Sequence, residues 1–197
     1  IRDYKEFEVD RPWNAISSYE APLAYPESFE VYPNRDSLPF IKQYHFDPNW
    51  KIKQFVRGTL RLNGWSKAWK NVFEEIETLS GSVEETRLQQ MSDEFWRDNS
   101  YEEGEPDRVV LCVGLKAQKE NITQWHKTYV MDAWGDEEST AMARLVSFPL
   151  SYAIEAISKG KIPSGVQAAS DNLKLITEWL DGIATIAQKF EFVDHTI

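Results

Sequence analysis

Between Lys51 and Leu79 the apolar residues change period. From Lys51 to Leu62 they alternate. Ile52, Val56, Leu60 and Leu62 take even positions with Gln54 and Gly58, and Lys51, Lys53, Phe55, Arg57, Thr59 and Arg61 take the odd ones. A period of two is that of a strand with one face toward a core. Beyond Asn63-Gly64, the residues Trp65, Ala68, Trp69, Val72, Phe73, Ile76 and Leu79 recur every three or four positions, as the stripe of one amphipathic helix does. A strand that feeds such a helix requires a core shared by sheet and helix. All-α and all-β folds are thereby excluded.

The rest of the chain extends this pattern. Residues 1–28 are polar and aromatic with three prolines, and read as an irregular lead-in holding one short strand. Phe29-Glu30-Val31-Tyr32 reads as a strand ended by Pro33-Asn34. Ser37 is expected to cap a short helix to about Tyr44, and Asp47-Pro48 to make a turn. Ser80-Gly81 stops the Trp65 helix, and Ser82 with Glu85 forms a capping-box pattern for a weaker helix through Leu88, Met91 and Phe95. Residues 97–107 read as a loop. Arg108 to Lys119 and Ile122 to Trp134 read as a hairpin around Glu120-Asn121. Asp136 is expected to cap a long helix containing Met142, Leu145, Val146, Leu150, Ala153, Ile154 and Ile157, kinked at Pro149 and ended by Gly160. A last helix is expected from near Ser170 through Ile186, with Gly182 as a dividing point. The class is α+β: a mixed β-sheet with helices packed mainly on one face, in a single domain over residues 1–197.

Composition narrows the function. A net charge of −10 argues against nucleic acid as a partner. The longest apolar run, Val109 to Val113, is far below the roughly 20 residues of a membrane span, so no membrane is expected. One cysteine, Cys112, cannot form an internal disulfide and suits a reducing, cytoplasmic compartment. It lies in the apolar run, where a buried strand would keep the thiol inert. The start Ile1-Arg2-Asp3 has neither an initiator Met nor a signal-peptide layout, which reads as a piece of a longer protein. No two of the nine glycines are spaced i, i+2, so a G-x-G-x-x-G dinucleotide turn is impossible and no Rossmann unit is expected in this chain. Gly160 and Gly165 have P-loop spacing, but Val166 and Gln167 stand where Lys and Ser or Thr are needed. His45, His126 and His195 are far apart in sequence, so no metal site is expected, and His126 reads as a surface histidine. The acidic stretch Glu102 to Asp107 lacks calcium-loop order and reads as a solvated loop.

Two polar clusters remain. Tyr32-Pro33-Asn34-Arg35-Asp36-Ser37 lies at a strand exit, where binding residues gather. Its plain reading is a turn whose Asn, Asp and Ser satisfy local backbone. Arg57, Thr59 and Arg61 share one strand face, whose plain reading is a solvated surface. Two arginines at that spacing are also suited to clamping carboxylates. The Trp65 and Trp69 pair reads as core.

Phe29 to Phe40, with Tyr32-Pro33-Asn34-Arg35-Asp36-Ser37 at its centre, resembles the signature of the saccharopine dehydrogenase family, glutamate-forming branch. Arg57-Gly58-Thr59-Leu60-Arg61 followed by Gly64-Trp65 resembles that family's next motif, with Leu62 in place of the expected aromatic residue. Thr140-Ala141-Met142-Ala143-Arg144 with Pro149, then Gly160-Lys161-Ile162, resembles its C-terminal helix segment. The resemblance spans roughly residues 29 to 165.

The resemblance implies a C-terminal domain that shapes the substrate cleft and builds a homodimer, with NAD(P) bound by an N-terminal domain absent from this chain. It implies reduction of the imine of α-aminoadipate semialdehyde and glutamate to saccharopine, or the reverse, in lysine metabolism. Saccharopine carries three carboxylates and two amines, and guanidinium forks match carboxylates well. The resemblance therefore raises Arg35, Arg61 and Arg57, in that order, as substrate ligands, with Asn34, Asp36 and Thr59 orienting amines and carboxylates. No residue here reads as a general base, and the fragment alone is not expected to be active. Two other readings stand beside this one: a relative acting on a carboxy-polyamine precursor, and a non-catalytic assembly module. A strand followed by G-x-G-x-x-G upstream of Ile1 would favour an enzyme.

Overall fold

A computed structural model describes residues 1–80, 82–166 and 169–196. The chain is α+β and forms two compact units, one of Ile1–Glu20 with Pro26–Glu102, the other of Ala21–Tyr25 with Glu103–Ile197.

The first unit opens with a turn of 3-10 helix, Pro12–Ala15. Strands β1 (Ser17–Ala21), β2 (Glu27–Pro33) and β3 (Gly58–Leu62) form a three-stranded sheet in the order β1-β2-β3. Helix α1 (Pro39–Gln43) lies between β2 and β3 in sequence, and α2 (Trp65–Ala68), α3 (Lys70–Thr78) and α4 (Ser82–Asn99) follow. The core is aromatic. Phe29, Phe73 and Met91 are buried, Phe73 stacks on Trp13 at 4.6 Å, and Trp65 meets Phe73 in a T-shaped contact at 5.2 Å.

Three expectations need correction in this unit. The strand expected from Lys51 is formed only from Gly58. Phe55 packs its ring against Tyr44 and Phe46 instead, and Leu62 and Val56, expected in the core, are exposed. The single Trp65–Leu79 helix is two helices meeting at Trp69. Ser37 does not cap α1; its hydroxyl accepts the Arg57 N–H at 3.2 Å, and the Asp36 carboxylate accepts the Leu38 N–H at 2.9 Å. The expected stop at Gly81 and the Ser82 side chain of the expected capping box lie outside the described residues.

The second unit is built on the hairpin of β4 (Arg108–Lys119) and β5 (Ile122–Trp134), with β6 (Lys189–Asp194) on the far side of β5. Both pairings are antiparallel. Glu120 and Asn121 both take positive φ, 52° and 63°, as a two-residue turn with the right twist requires. Helices α5 (Ala141–Ser158) and α6 (Leu173–Ala184) pack on each other. Gly182 does not divide α6; it is the close-approach point, where a Cβ would sit 2.7 Å from the Tyr152 ring. Helix α5 continues through Pro149 and ends as expected at Gly160 (φ 65°), with Gly160 and Lys161 N–H groups closing onto Ile157 and Ala156.

Here too the sequence expectations shift. The strands fall into two three-stranded sheets, with antiparallel pairing, rather than one mixed sheet. Strand β6 was not expected, and Ile186 lies beyond α6. Thr140, not Asp136, caps α5 by accepting the Ala143 N–H. Asp136 is used in its own turn, accepting from Glu138 and Ser139, and pairs with Arg144. Asp107 is not simply a solvated loop residue: its carboxylate accepts the Ala141 and Met142 N–H groups at 2.6 and 2.9 Å, against the positive end of the helix. The run Val109–Val113 is not a buried strand either. Leu111 and Val113 are exposed and Cys112 is half-buried.

Candidate functional site

The two sequence clusters lie side by side. Strand β2 pairs antiparallel with β3, setting Glu30 opposite Arg61, Tyr32 opposite Thr59 and Pro33 opposite Gly58. The Asn34 N–H then donates to the Arg57 carbonyl at 2.7 Å, so the ladder carries on past the strand end. Gly58 is needed there, because a Cβ would meet Val31 at 2.7 Å.

Residues 30, 32, 59 and 61 point to one face, as opposed positions in a pleated pair do. The Arg61 guanidinium donates to the Tyr32 hydroxyl at 3.1 Å and lies 5.6 Å from the centre of the Trp65 ring. Tyr32 and Trp65 stack at 5.3 Å, giving the guanidinium an aromatic shelf. Below it, the Glu30 carboxylate accepts the Gly64 and Ser66 N–H groups at 3.0 and 2.6 Å. The Ser66 N–H holds Glu30 below its ordinary value, so it stays an anion tied to the start of α2. Arg61 thus presents an exposed cation on a fixed platform, with donors to spare for a carboxylate.

The other candidates are placed differently. Arg57 lies over the Phe40 ring, 3.6 Å from its centroid. Three residues lie between it and Arg61, so the two backbone positions are four steps apart, roughly 13 Å at 3.3 Å per residue. The two guanidiniums rest on different rings, Arg57 on Phe40 and Arg61 on Tyr32 and Trp65. Arg35 is exposed in the turn after β2 at φ 54°, beside exposed Asn34. Asp36 uses one carboxylate oxygen on its own turn. Thr59 is half-buried beside Tyr32. Sequence reasoning did not single out Tyr32, Trp65 or Glu30 for the site. The signal for Tyr32 was present, since it shares the cluster with Arg35. That for Trp65 was masked by its place on the apolar stripe. Among the described residues no cluster of three His, Cys, Asp or Glu side chains could hold a metal.

The three register-defined strand pairings are antiparallel, so they provide no parallel β-α-β turn to set a pyrophosphate on a helix N-terminus. No helix is long and apolar enough to cross a membrane among the described residues.

No curated protein matches this sequence. A model of the saccharopine dehydrogenase C-terminal domain matches residues 1–185, which extends the resemblance seen in three motifs to nearly the whole chain. With that match and the two motifs joined on one sheet, the chain belongs to the saccharopine dehydrogenase C-terminal domain family.

Proposed function

We propose that this domain shapes the substrate site of a saccharopine dehydrogenase-like, NAD(P)-dependent oxidoreductase of lysine metabolism, in the cytoplasm. The observation that carries the reading is Arg61, an exposed guanidinium anchored by the Tyr32 hydroxyl and backed by Trp65. Its role is to take one carboxylate of the aminoadipate semialdehyde–glutamate adduct. Arg57, roughly 13 Å along the strand, suits a second carboxylate of so extended a molecule. Arg35 and Asn34 flank that second station, and Thr59 and Asp36 orient polar groups between. The nucleotide is held by a separate domain, and the general base is supplied from there. The test is turnover of saccharopine by the native full-length protein, followed at the nicotinamide absorbance with NAD or NADP. Reduced nucleotide forming only with saccharopine supports the reading. Turnover confined to a carboxy-polyamine substrate would move it to that relative, and no turnover of either would leave an assembly module. This chain alone is expected to bind neither NAD(H) nor NADP(H), and micromolar binding by titration calorimetry would overturn that division of labour.

The same reading makes the domain the seat of a homodimer. Met142, Val146, Leu150 and Ile154 follow one another at four-residue spacing on α5, each more than half exposed. A helix that leaves such a stripe in water gains by covering it with its equal in a second copy. Sedimentation at tens of micromolar is expected to give a dimer, and replacing Val146 and Leu150 by Glu to give monomer. A wild-type chain that stays monomeric contradicts this assignment.

A further inference from the structure

His126 was expected to be an isolated surface residue, but it is half-buried and stands in a row of bases that crosses the second sheet. On β4 its register partner is Lys116. On the other side, just beyond β6, the His195 N–H donates to the His126 carbonyl at 2.8 Å, and the two imidazole rings lie 4.6 Å apart. His195 Nε2 is 3.0 Å from the Thr128 hydroxyl, which is only 6 % exposed. Gly114, opposite Thr128, leaves room for this contact, since a Cβ there would come within 3.3 Å of the hydroxyl oxygen. One anion is close: Asp194, which pairs with Lys127 at 3.0 Å and also accepts from the Thr196 N–H. The end of β6 is therefore pinned by a histidine whose neighbours are a second histidine and a lysine.

We propose that His126 makes the docking of β6 onto β5 proton-sensitive: neutral, it accommodates His195 and Lys116, and on gaining a proton it repels both and loosens the strand end. The direction follows from the surroundings. Burial, then the His195 and Lys116 charges, hold His126 below its ordinary 6.5, against a smaller opposing pull from Asp194. The docked state binds this proton less readily than the released one. Docking is thus complete above about 6.5 and weakens as pH falls below it.

Hydrogen exchange of the protein, read by mass spectrometry at about pH 7.5 and about pH 5.5 and corrected for intrinsic rates, tests this. Protection of the 189–196 segment is expected to fall by about threefold or more at the lower pH, while the 110–114 segment of β4 holds its protection. His126→Gln is expected to abolish the difference. Should that variant itself unpin β6, Lys116→Gln provides the second reading, because removing a neighbouring charge must shrink the pH response. Equal protection at both pH values, a response that persists in His126→Gln, or one undiminished in Lys116→Gln overturns the proposal.

Discussion

Phe73→Ala is expected to cost this protein about 3–5 kcal/mol, the range for removing a buried phenylalanine from a packed core. Phe73 is 8 % exposed and is the ring on which three segments meet. It stacks on Trp13 of the 3-10 turn at 4.6 Å, makes a T-shaped contact with Trp65 of α2 at 5.2 Å, and lies 6.2 Å from Trp69. Trp65 in turn stacks on Tyr32 of β2, so the loss propagates to the platform under Arg61. Truncation leaves a hole between rigid rings that cannot collapse into it, which places the cost high in its range. Trp96→Ala is the control: that ring is 77 % exposed, and its loss should change stability by no more than about 0.5 kcal/mol. Urea unfolding of both variants measures the difference. A Phe73→Ala cost under about 1 kcal/mol would show that the aromatic cluster is not the core of the first unit.

What the sequence makes legible is local. The bounds of the hairpin strands Arg108–Lys119 and Ile122–Trp134 are read to the residue, because the two-residue turn at Glu120-Asn121 is a local signal, whereas the register shift between Ala117 and Gln118 leaves no such mark in the sequence. The Gly160 stop is equally local, a left-handed residue whose neighbours close the last carbonyls of α5. Long-range choices are harder. The alternation from Lys51 to Arg57 does not lengthen β3: Lys53, Gln54 and Phe55 pair with the N-terminal residues instead, the Tyr4 N–H donating to Lys53 and the Phe55 N–H to Ile1, and Phe55 packs against Tyr44 and Phe46. Strand β6 is hidden because Ile183 and Ile186 prolong the helical period up to it, although Phe190 and Phe192 alternate with Lys189 and Glu191. At the site, the arginines are visible as residue types, but their partners are not. Tyr32 reaches Arg61 only through a pairing of β2 and β3 across the 24 residues between Pro33 and Gly58, which no local pattern fixes.

Arg61→Met is the substitution with the largest expected effect on substrate. Arg61 is exposed, so losing its bond to the Tyr32 hydroxyl should leave folding nearly unchanged. A charge-assisted contact to a carboxylate, partly shielded by Tyr32 and Trp65, is a different matter, and its loss should weaken substrate recognition about 10- to 150-fold. Arg57→Met should have a smaller effect, because Arg57 rests on the Phe40 ring while Arg61 is also held in place by the Tyr32 hydroxyl. Arg35→Met should have the least, because its turn offers no comparable platform. The measurement is kcat/KM for saccharopine in the native full-length protein, for wild type and the three single variants, with urea unfolding beside each. A drop of about 10- to 150-fold confined to Arg61→Met, with the unfolding midpoint unmoved, is the result this site predicts. An Arg61→Met variant that unfolds normally and keeps kcat/KM within about twofold of wild type would contradict it.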